Sequence, residues 1–132
     1  MSTILREYEI APDGTAYQIG GKAGSPIVVL IHGLGLCRHM WRDHITDLAP
    51  NHSLVYYDLL GHGDSAPPPA ETTLSLYAKQ LLNLLDYLQI ERAAIVGFSI
   101  GGMINRRFAL DYPNRLSALA ILNSPHERGA EA

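Results

Sequence analysis

The sequence predicts an α/β fold: a mostly parallel sheet with helices on both faces. Three observations predict it. Segments of strand character and of helical period alternate from residue 26 to residue 122. The strands among them are continuous apolar runs, the pattern of parallel strands buried on both faces. Helical stretches separate them, giving the crossover that parallel pairing requires, a connection that is nearly always right-handed.

Taken in order, Leu5 to Ile10 and Ala16 to Ile19 read as two short strands around the turn Pro12-Asp13-Gly14, which makes a hairpin. Gly20 to Ser25 reads as a polar, glycine-rich connection. Pro26 to Ile31 is a buried strand rich in β-branched residues. Trp41, Ile45 and Leu48 fall at helical spacing, and Pro50 disfavours the helical conformation at the residue before it, closing that short helix. Ser53 to Tyr57 is the next buried strand. Gly61, Gly63 and three consecutive prolines make Leu59 to Pro69 a loop, stiffened at its end by polyproline geometry.

Thr72 or Thr73 can cap the helix that follows, in which Leu74, Tyr77, Leu81, Leu84, Leu85 and Leu88 form one apolar stripe. Ala93 to Phe98 is a further strand, Ile100 to Leu110 a helix ended by Pro113, and Leu116 to Leu122 a final buried strand. Residues 123–132 are polar and supply no further strand.

With 132 residues, 47% hydrophobic and 17% charged, the chain suits one globular core. The formal charge of −3 is spread along the sequence with no basic run, which argues against a nucleic-acid partner. The apolar stretch from Pro26 to Ile31 is far too short to span a bilayer, and the N-terminus lacks a signal-peptide pattern. A membrane partner is therefore not expected, and a cytoplasmic location is. Cys37 is the sole cysteine, so no internal disulfide forms, in keeping with a reducing compartment.

Gly97-Phe98-Ser99-Ile100-Gly101 matches G-x-S-x-G after a strand and at the opening of a helix. The match alone arises by chance at on the order of a few positions in ten thousand. The setting gives it meaning. A sharp strand-to-helix turn strains the serine backbone and requires small residues two positions to either side, which Gly97 and Gly101 supply. The turn lifts the hydroxyl clear of the sheet at the positive end of the helix, where charge developing on an attacked carbonyl is favoured. Ser99 is the candidate nucleophile. The alternative is a serine that only caps the following helix.

With His32-Gly33-Leu34-Gly35 after the third strand, Asp58-Leu59-Leu60-Gly61-His62-Gly63-Asp64-Ser65 after the fourth, and Gly97 to Gly102 at the fifth, the sequence resembles the α/β-hydrolase superfamily. Within it the chain is similar to the small esterase, enol-lactonase and cofactor-free haloperoxidase group. The resemblance implies hydrolysis of a small carboxylic ester or lactone through an acyl-enzyme at Ser99, with no metal or organic cofactor. It implies that the backbone N–H groups of Leu34 and Ile100 form an oxyanion hole. It also implies two further strands and a lid, with the triad acid after the seventh strand and the histidine base after the eighth. Residues 1–132 then form the N-terminal part of one core domain, truncated after the sixth strand, and the base and acid lie outside this chain.

On the same resemblance His32 shapes the oxyanion loop and is not the base. Asp58, His62 and Asp64 order their glycine-rich turn. Cys37 reads as a small packing residue beside the oxyanion loop. His39, His44 and His52 have neither the spacing nor the cysteine neighbours of a zinc site and read as surface or packing residues. Glu127 is a further candidate for the acid, since a minority of related lipases place it directly after the sixth strand, while His126 as base is disfavoured by its adjacency to Glu127. They read as the start of a connection to a lid.

A serine hydroxyl needs a base in hydrogen-bond reach, and the base needs an orienting partner. The expected partner is therefore a complementary C-terminal segment. The competing reading is a non-catalytic module that associates with itself or a partner through the open edge of its last strand. A nucleotide site is disfavoured by the lack of G-x-G-x-x-G after the first parallel strand and of G-x-x-x-x-G-K-[ST] anywhere. Ser99 itself disfavours an aspartate nucleophile.

Overall fold

A computed structural model describes residues 7–124. The strands are β1 (Glu9–Ile10), β2 (Ala16–Gly21), β3 (Ile27–Ile31), β4 (Ser53–Tyr57), β5 (Ala93–Phe98) and β6 (Leu116–Leu122). The α-helices are α1 (Arg42–Leu48), α2 (Leu74–Tyr87) and α3 (Ile100–Asp111), and one-turn 3-10 helices precede α1 and β6. All six strands form one sheet in the order β1-β2-β4-β3-β5-β6. β1, β2 and β4 pair antiparallel, while β4, β3, β5 and β6 pair parallel. The predicted class, a mostly parallel sheet covered by helices on both faces, is the observed one.

Alternate residues of β3 face opposite layers. Val29 and Ile31 join Val55, Tyr57 and Ile95 under the apolar stripe of α2 and under Ile104 and Phe108 of α3. Val28 and Leu30 face the other way, against Trp41, Ile45 and Leu48 of the α1 region. Tyr77, Leu81, Leu84 and Leu85 are buried as the spacing in α2 predicts. Each such side chain contributes roughly 1.5–3 kcal/mol on leaving water. Of the two candidate caps for α2 it is Thr73 whose Oγ1 accepts the Leu76 N–H at 3.0 Å.

Three expectations are corrected. Gly20 and Gly21 continue β2 and do not begin a loop, because the backbone stays paired through Gly21 opposite Ser53. Gly21 has φ 79°, and its missing side chain leaves space for the His52 carbonyl. β6 is not a buried strand. It is exposed along most of its length, with Leu119 and Leu122 about two-fifths exposed, because only β5 flanks it among the described residues. The proposed first strand is confined to Glu9–Ile10, with Leu5 and Arg6 outside the described residues.

Candidate active site

The carboxyl ends of β3, β4, β5 and β6 open on one rim of the sheet, and the residues singled out in the sequence gather there. Ser99 follows β5 with φ 56° and ψ −117°, outside the regions that L residues occupy freely. Neighbouring backbone holds it there. Its N–H donates to Leu122 O at 2.9 Å, and its carbonyl accepts from Gly102 N–H at 2.9 Å and Met103 N–H at 3.3 Å. The Ser99 side chain makes no capping bond to α3, so the capping alternative has no geometric support.

The flanking glycines are required by space. A Cβ on Gly97 would collide with the Gly101 backbone, and one on Gly101 would lie 2.5 Å from Ile31 O and 2.8 Å from His32 O. α3 is thereby seated directly on the end of β3. Asn105, fully buried in α3, donates through Nδ2 to Ile95 O at 2.8 Å and Ala120 O at 3.2 Å, tying the helix to β5 and β6.

The loop leaving β3 carries His32, Gly33 and Leu34. Leu34 is 67% exposed, and together with Ile100 it borders a mostly apolar cleft of about 240 Å³ whose other walls include Leu74, Tyr77 and Met103. Neither the Leu34 N–H nor the Ile100 N–H has an acceptor among the described residues. The structure thus brings Leu34 to one cleft with Ile100, the residue that follows half-buried Ser99.

His32 is fully buried, and both ring nitrogens are engaged. Nε2 accepts the Leu59 N–H at 2.9 Å, so the proton sits on Nδ1, which donates to Gly33 O at 2.7 Å. Burial lowers its pKa, which keeps the ring neutral. It has no nitrogen free to take a proton from Ser99. His62 packs beside it, ring centroids 5.2 Å apart, with its own Nδ1 3.2 Å from Leu60 O.

Asp58 is also fully buried, and its partner is Arg38, a residue the sequence reading did not single out. The Arg38 backbone N–H donates to Asp58 Oδ1 at 2.7 Å and its Nη1 to Oδ2 at 2.5 Å. Nη1 also reaches Asp64 Oδ2 at 2.9 Å, Nε donates to Gln18 Oε1 at 2.7 Å, and the Tyr8 ring covers the guanidinium at 4.6 Å. Burial acts to lower the Arg38 pKa, but hydrogen bonds and charge from Asp64 and Asp58 outweigh it and hold the group charged.

Gln80 was missed as well. Its Oε1 accepts the Leu60 N–H at 3.1 Å, and its Nε2 donates to Thr15 Oγ1 and Asp58 O, both at 3.0 Å. A signal for it exists, since a glutamine three residues after Tyr77 and four before Leu84 falls on the buried stripe of α2. Arg38 carries no comparable pattern.

Cys37 is half-buried beside the loop. His39 and His44 are exposed, the latter with its ring 5.4 Å from that of Trp41, and His52 Nδ1 lies 3.1 Å from Leu48 O. No group of three His, Cys, Asp or Glu residues among those described is arranged to share a metal ion. His126 and Glu127 lie outside the described residues. Among the described residues no titratable group is hydrogen-bonded to Ser99.

Comparison with known proteins places this geometry. An uncharacterized Mycobacterium tuberculosis protein is 36% identical over 109 residues, which is 83% of this chain but 31% of that one. A Pseudomonas aeruginosa hydrolase structure matches 93% of this chain and 47% of its own, at 33% identity and a TM-score of 0.86. An enol-lactonase structure from Burkholderia xenovorans matches 92% and 48%, at 30% identity and a TM-score of 0.84. The chain therefore spans a third to a half of the length of these relatives. No helix among the described residues is long and apolar enough to cross a membrane. The model of the alpha/beta hydrolase fold family matches residues 26–131, and the chain belongs to that family.

Proposed function

We propose that this chain supplies the nucleophile half of a serine hydrolase acting on small carboxylic esters or lactones. The observation that carries the reading is Ser99, held at φ 56° and ψ −117° with its side chain uncommitted, while the Ile100 amide that follows it and the Leu34 amide, both without an acceptor among the described residues, belong to residues that border one cleft. A hydrolase and an enol-lactonase among the structural relatives support the substrate class. In the proposed reaction Ser99 Oγ attacks the carbonyl carbon as its proton passes to a base outside residues 7–124. The two amides receive the oxyanion, each worth about 3 kcal/mol to the transition state. Collapse expels the alcohol and leaves an acyl-enzyme, and water then releases the acid by the same path.

The test is turnover of p-nitrophenyl acetate and butyrate by the intact protein and its Ser99→Ala variant, with mass spectrometry for a serine adduct. Loss of both turnover and adduct in the variant is the expected result. Equal turnover would reject the reading. Residues 1–132 alone should hydrolyse these esters no better than their own Ser99→Ala control, since the base and its acid partner are proposed to come from a complementary C-terminal segment seated at β6.

The exposed length of β6 favours one second reading, a non-catalytic module that associates through that edge. It is distinguished by self-association in sedimentation together with Ser99-independent behaviour.

A further inference from the structure

The loop that carries Leu34 must hold an amide in place, yet its tip is poorly held. Leu34, Gly35 and Leu36 are exposed, and the hydrogen bond within the tip runs from Leu36 N–H to Gly33 O at 3.1 Å. Its two ends, by contrast, are pinned to the chain leaving β4. At the start, His32 Nε2 takes the Leu59 N–H. At the finish, Arg38 grips Asp58 twice, with its backbone N–H on one carboxylate oxygen and its guanidinium on the other.

Such a two-point attachment fixes the direction in which the loop arrives as well as its position. The guanidinium is itself buried, 1% exposed, and contacts Gln18, Asp64 and the Tyr8 ring. The carboxylate it grips is fixed too, because Asp58 Oδ2 also accepts the Asp64 N–H at 2.9 Å and occupies the space where Gly63 lacks a Cβ.

We infer that Arg38 is a positioning residue for the oxyanion loop, setting through Asp58 where the Leu34 amide meets the substrate carbonyl. The inference rests on the proposed reading of Ser99 and Leu34. Arg38 does not line the cleft that Leu34 and Ile100 border. Lysine cannot replace it, because a single ammonium lacks the planar fork that serves Gln18, Asp58 and Asp64 together.

The experiment compares the intact protein with Arg38→Lys, and with Arg38→Gln/Asp58→Asn, which removes both charges and keeps the folded state accessible should the single variant not fold. Measurements are kcat and KM for p-nitrophenyl butyrate, inhibition by an alkyl trifluoromethyl ketone, the infrared carbonyl band of the acyl-enzyme, and hydrogen exchange of amides 33–37. The expected result is a 10- to 100-fold loss in kcat, below the roughly 100- to 1,000-fold that removing an oxyanion donor outright costs, because the amide is displaced and not deleted. KM should stay within threefold, ketone affinity should fall in parallel with kcat, the carbonyl band should move toward that of a free ester, and exchange should quicken at least tenfold.

A folded variant whose carbonyl band and ketone affinity stay at wild-type values overturns the inference, even if its thermal stability has dropped. Turnover that does not depend on Ser99 overturns the functional reading instead. Ser99-dependent turnover indifferent to Arg38 overturns this inference alone.

Discussion

Replacing Ser99 by glycine should make the protein more stable while destroying its proposed activity. A non-glycine residue at φ 56° and ψ −117° stores about 1–3 kcal/mol of backbone strain. Alanine keeps the Cβ and therefore the strain. Because the Ser99 side chain makes no capping bond, Ser99→Ala should lie within about 0.5 kcal/mol of the parent. Glycine releases the strain but carries about 0.5–1 kcal/mol of additional unfolded-chain entropy, which leaves a net gain centred on about 1 kcal/mol within a range of roughly 0–2.5 kcal/mol. Urea unfolding followed through the single tryptophan, Trp41, which is 2% exposed, measures all three proteins in one assay. Equal slopes against urea would show that the comparison concerns stability alone. A Ser99→Gly protein no more stable than Ser99→Ala would refute the strain argument, and with it the claim that surrounding backbone imposes the serine conformation.

Three further outcomes are expected. Ala at Gly101 places a Cβ 2.5 Å from Ile31 O, and since backbone cannot yield as a side chain can, the cost should reach about 3 kcal/mol, with ester turnover falling together with stability; a cost under about 1 kcal/mol in calorimetry would contradict the close contact. Thr73→Ala should lower stability by about 1 kcal/mol in urea unfolding, through loss of the bond to Leu76 N–H; an unchanged midpoint would show that the cap contributes nothing. His32 has a native pKa below its unfolded value of 6.5, so the unfolded chain takes up the proton first as pH falls. Its contribution is complete above pH 6.5 and is lost downward from there, at a slope of up to about 1.4 kcal/mol per pH unit, until the lowered native pKa is passed. The difference between wild type and His32→Gln, measured from pH 7.5 to pH 5, should shrink toward low pH; a difference independent of pH would show that His32 is not held neutral.

The strands and helices of the parallel core were legible because each is local. The apolar runs ending at Ile31, Tyr57 and Phe98 end as strands at those residues, and the α2 stripe points where its spacing says. The Gly97 to Gly101 motif was legible because its glycines answer a steric demand confined to one turn. What escaped depends on distant partners. Gly20 and Gly21 look like a loop until β4 is laid beside them. Leu116 to Leu122 has the composition of a buried strand, but burial belongs to whatever covers it. Arg38 looks like one more surface cation, and only the approach of Asp58, twenty residues on, makes it a buried hinge pin. The proposed base is beyond any of this, because no described residue offers Ser99 one.

The bare Cα of Gly101 resting on the carbonyls of Ile31 and His32 bears on how such a chain can diversify. The seating of α3 on the end of β3, and with it the place of the Ile100 amide, is set by main chain lying on main chain. Leu34 and Met103 at the cleft can then be exchanged without disturbing that contact, whereas Tyr77 is also held by the core. A lineage built on this contact can change the lining of its cleft while inheriting unchanged the backbone on which the proposed nucleophile sits.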